Sequence, residues 1–130
     1  MSLAVSPALL DDARADRVAD ADVVDCVRTS LPYAYDLVAG LAAEFRAGGR
    51  QFVDNVVPPP DETARGQLLR AMSSDAIRGV LERHFDITLA FQNCHRVAVF
   101  GAGARGTQVH AEFTSVRSQL LNQSPELVNC

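Results

Sequence analysis

The sequence predicts an α+β domain, mainly α, in which about five helices surround one core and a short antiparallel β-hairpin near residues 87–100 lies on it. Three observations lead there. Apolar residues recur at helical spacing through much of the first 85 positions, the period changes to two at Ile87, and the composition is that of a folded chain: 130 residues, 48% hydrophobic and 22% charged. A chain of this length buries about two thirds of the surface its unfolded form exposes, enough for one core without disulfide or metal staples. Repeats, low-complexity tracts and long linkers are absent from the sequence, so residues 1–130 are expected to form one domain.

The elements follow in order. Ser6-Pro7 pairs an N-cap residue with a proline suited to the first helical position, and Ala8, Leu9 and Leu10 can seat a short helix. Asp22 and Asp25 bracket Val23 and Val24 at the start of a second, where negative charge meets the positive end of the helix dipole. Ser30-Leu31-Pro32 opens the clearest helix. Its apolar face is Ala34, Leu37, Val38, Leu41 and Phe45, and Gly48-Gly49 ends it. After the apolar stretch from Phe52 to Val57, Pro58-Pro59-Pro60 must be extended and forms a rigid strap.

Asp61-Glu62 then starts a helix through Leu68, Leu69 and Met72, and Ser74 can cap another through Ile77, Val80, Leu81 and Phe85; one kinked helix or two both fit this pattern. Ile87, Leu89 and Phe91 alternate with polar or small residues, as do Val97 and Val99, with Gln92-Asn93-Cys94-His95 as the turn between two strands. A two-stranded hairpin is marginal alone in water, so it needs cover from the helices or from a partner's strands. Val109, Phe113, Val116 and Leu120 mark a last helix, and Ser124-Pro125-Glu126 starts a final turn.

Charge and composition exclude several function classes. All twelve basic residues are Arg, a bias typical of GC-rich coding sequence. Residues 1–25 hold six Asp against two Arg, whereas the remaining chain balances ten acids with ten Arg. With a net charge of −4, nonspecific nucleic-acid binding is disfavoured. The opening residues carry neither the basic region nor the apolar run of a secretory signal, and no apolar stretch approaches the ~20 residues that cross a bilayer, so a cytoplasmic setting without membrane contact is expected.

Two constellations invite a chemical reading. Gly101, Gly103 and Gly106 match the GxGxxG pattern between a strand and a helix, the local context of a dinucleotide-binding loop. The larger context disagrees, because no second parallel strand follows. Cys94 and His95 are candidates for a nucleophile–base pair or, with Cys130, for metal ligands, with Arg96 holding an anion. Neighbouring residues on a strand point to opposite faces, and no CxxC or HxxxH spacing occurs. Cytosolic thiols are expected to stay reduced, with Cys26 a small core residue. The carboxylates sit where helix N-termini favour them, and no cofactor is implied.

The stretches DCVRTSLPYAYDL, PPPDETARGQLLRAMSSDAIRGVLERHFDITLAFQNCHRVAVF and FTSVRSQLLNQSPELVNC are similar to a small family of uncharacterised actinobacterial, streptomycete-type cytoplasmic proteins of about this length. The resemblance covers almost the whole chain and implies no activity, cofactor or catalytic residue. The expected function is therefore that of a non-enzymatic interaction or regulatory protein. It would act as a homodimer and with an unidentified protein partner, through Phe52, Val57, Phe91, Val97 and Val99, with the hairpin edge or the last helix meeting the partner and the Pro58–Pro60 strap presenting Phe52 and Val56–Val57. The alternatives are a small redox- or metal-dependent protein centred on Cys94 and His95, and nucleotide binding at Gly101–Gly106.

Overall fold

In the computed structural model, which describes residues 2–122, seven helices and a three-stranded antiparallel sheet form an α+β fold dominated by helix. Helix α1 (Pro7–Arg14) starts where Ser6 accepts a hydrogen bond from the Leu9 amide at 3.1 Å. Helix α2 (Asp20–Ser30) begins two residues before Asp22, which puts both Asp20 and Asp22 in its first turn. Helix α3 (Pro32–Gly48) has no side-chain cap; instead buried Gln67 accepts from the Tyr33 amide at 2.7 Å. Gly49, at φ +65°, takes the left-handed position that ends it.

The apolar stretch after α3 is a strand, β1 (Phe52–Asp54), where the sequence suggested only a connecting segment. Helices α4 (Glu62–Met72) and α5 (Asp75–Phe85) are separate, capped by the side chains of Asp61 and Ser74. Strands β2 (Ile87–Gln92) and β3 (Arg96–Gly101) make the expected hairpin. The hairpin is not left alone, however. β1 pairs with β3 antiparallel, Val53 opposite Val99, so the order is β1-β3-β2 with β3 central. Three residues at the start of this stretch carry too little alternation to declare a strand.

The last helical stretch also differs from expectation. It breaks into α6 (Gln108–Phe113) and α7 (Val116–Leu121). The Thr114 hydroxyl donates back to the His110 carbonyl, and Ser115 accepts from the Ser118 amide to start a new helix. The turn expected at Ser124-Pro125-Glu126 lies outside the described residues.

Side-chain alternation divides the core in two. Ile87, Leu89, Val97, Val99 and Val53 face helices α2 to α5, packing with Val27, Leu31, Val38, Leu68, Met72 and Leu81. On the opposite face, Ala90, Ala98 and Phe100 pack with Phe113, Phe52 and Val109 beneath α6. The sheet is thus a middle layer, which explains why nine of the twelve residues of β2 and β3 are buried. The Phe100 ring anchors the outer layer, with centroids 5.0 Å from Phe52, 5.8 Å from Phe113 and 5.3 Å from His110.

Candidate functional site

A dense polar cluster lies where β1, the β2–β3 turn and α7 meet. Asp54 and Arg96 come from paired strands. The Arg96 Nε and Nη2 donate to Asp54 Oδ2 at 2.8 and 2.5 Å, with both side chains largely covered. Arg96 Nη1 reaches Gln92 Oε1 at 3.1 Å, and Gln92 Nε2 donates to the Phe113 carbonyl at 2.8 Å. The guanidinium also sits 5.1 Å over the Phe113 ring. Arg96 therefore does hold an anion, but that anion is the chain's own Asp54.

Asn55 extends the pairing of β1 with β3 by its side chain. Its Oδ1 accepts from the Val97 amide at 2.7 Å, while its Nδ2 donates to the carbonyls of His95 and Val57 at 2.7 and 3.2 Å. These bonds position Val56 and Val57 just beyond the strand. A cleft of about 300 Å³ opens here, lined by Asp54, Val56, His95, Arg96, Leu121 and Asn122 among others. His95 is buried, with Nδ1 2.6 Å from the Asn93 carbonyl oxygen, so a proton on Nδ1 closes the turn. Cys94 adopts φ +39° in that turn and is disulfide-bonded, contrary to the reduced thiols expected; in this state its sulfur is neither a nucleophilic thiolate nor a thiolate metal ligand. Cys130 lies outside the described residues. Cys26 is free and buried, its thiol donating to the Ala4 carbonyl at 3.4 Å. Among the described residues, no three His, Cys, Asp or Glu side chains gather closely enough to hold a metal ion.

The glycine-rich loop has its own internal economy of hydrogen bonds. Gly103 and Gly106 adopt φ of +83° and +84°, while Gly101 lies beside the Phe45 ring. The Ala104 amide donates to the Gly101 carbonyl, the Thr107 amide to Ala104, and the Gly106 amide to His110 Nδ1. These amides are engaged within the loop, whereas a phosphate-binding loop turns its amides toward the ligand. The loop also follows the central strand of an antiparallel sheet, where a dinucleotide fold has parallel strands. Arg105 reaches from it to Glu82 at 2.6 Å, and the same Glu82 oxygen accepts from the Leu89 amide on the outer edge of β2 at 2.9 Å. The loop thereby helps cover an edge strand. A cavity of about 510 Å³ beside it is walled by Phe45, Arg50, Gly101, Ala104 and Val109 among others.

The residues expected at an interaction surface are scattered. Val97 and Val99 are fully buried in the central strand, Phe91 is half-buried against the inner core, and Phe52 is half-buried and stacked on Phe100. Val57 is exposed. Further exposed apolar residues include Val56 beside it and Val116, Leu120 and Leu121 on α7. Val56 and Leu121 line the same cleft, which neither local sequence pattern could announce. Among the described residues, no helix is long and apolar enough to cross a membrane.

Residues 1–130 match a protein family described as a NucS shadow ORF. The chain belongs to that family. Membership in the NucS shadow ORF family spans the full sequence, as the resemblance to a small uncharacterised family implied. No curated protein and no solved structure matches the chain.

Proposed function

We propose that the chain is the product of a reading frame that overlies the NucS coding sequence, and that it serves no activity of its own. The observation that carries this reading is the match of residues 1–130 to the NucS shadow ORF family. A shadow frame takes its composition from the DNA it shares with another gene. Twelve Arg with no Lys fits a frame across GC-rich DNA, because Arg and Ala codons are GC-rich and Lys codons are not. An actinobacterial source accords with the same composition. The site chemistry supports the reading too: Arg96 is paired with Asp54, His95 closes its own turn, and the amides of Ala104, Gly106 and Thr107 at the glycine loop are engaged internally.

The test is a stop codon placed in this frame and synonymous in the NucS frame. The expected result is a strain indistinguishable from its parent. A growth or fitness defect, corrected by a recoded copy of this chain supplied from another locus, would overturn the proposal.

The exposed apolar surface favours a second reading, that of a non-enzymatic interaction or regulatory protein acting as a homodimer and on an unidentified protein partner. Val56 and Val57 are 90% and 74% exposed, and Leu120 and Leu121 on α7 are 68% and 65% exposed. Clustered exposed apolar side chains mark association sites. Sedimentation of the purified chain would give a dimer that Val57→Asp and Leu121→Asp dissociate. A monomer at micromolar concentrations with these residues intact would remove the homodimer.

A further inference from the structure

We draw no further inference here: the strongest candidate, the cleft between β1 and α7 lined by Val56, His95, Arg96 and Leu121, opens onto an unpartnered apolar surface, and nothing among the described residues shows what covers it.

Discussion

Replacing Phe100 by Ala tests whether the outer face of the sheet is a second core. The side chain is fully buried, and its ring meets those of Phe52, Phe113 and His110. Truncating a buried Phe to Ala costs about 3–5 kcal/mol, because the lost transfer free energy adds to that of the cavity left behind. Unfolding entropy near the midpoint is about 2.1 cal/mol/K per residue, or about 0.27 kcal/mol/K for 130 residues. A loss of about 4 kcal/mol therefore lowers Tm by about 15 °C. The assay is thermal unfolding followed by circular dichroism, with hydrogen exchange of the α6 amides as a local readout. Val18→Ala is the control, since an exposed position outside the proposed association surface changes stability by about 0.5 kcal/mol at most, or about 2 °C. A fall below about 5 °C for Phe100→Ala, with α6 exchange unchanged, would refute the outer core.

Three further outcomes follow from charges and rings. Asp54→Ala leaves the Arg96 guanidinium without its carboxylate and should destabilise the protein by about 2 kcal/mol in denaturant unfolding, while Asp54→Leu combined with Arg96→Leu should recover part of that; additive losses would contradict the coupling. The Asp20 carboxyl is held below its ordinary range by hydrogen bonds from Arg83, so its contribution is present above about pH 4 and is lost as pH falls through the depressed value. Asp20→Asn should flatten the acid limb of a stability–pH profile, and an unchanged limb would count against the pair. Burial, and then the charge of Asp61, raises Tyr33 above the ordinary phenol range near pH 10, so the stability linked to its protonated form is lost as pH rises through the raised value. Tyr33→Phe should remove absorbance change on the alkaline side of pH 10, and a titration unaltered there would contradict that environment.

Local signals announced most of the helices because their causes are local. Ser6, Asp61 and Ser74 each cap a helix that begins one residue later, and Gly49 ends α3 where its backbone turns left-handed. Period-two alternation marked β2 and β3 for the same reason. What local pattern could not reveal depends on contacts across the chain. β1 becomes a strand through pairing with β3, and its Asp54 meets an Arg 42 residues away. The break between α6 and α7 came from Thr114 and Ser115, polar residues inside an otherwise helical apolar period. The candidate site was half legible: His95, Arg96 and Val57 were singled out, yet Asp54, Asn55 and Leu121 join them only through tertiary folding. The GxGxxG pattern was discounted on its larger context, since spacing alone does not say whether loop amides face a ligand or one another.

The central claim is that this frame lies over the NucS coding sequence and serves no activity of its own. Targeted mass spectrometry tests it most directly, using tryptic peptides read only in this frame, such as residues 51–65 and 84–96. The account predicts that these peptides are undetectable or far scarcer than NucS peptides from the same cells. Amounts comparable to those of NucS, maintained across growth conditions, would contradict it.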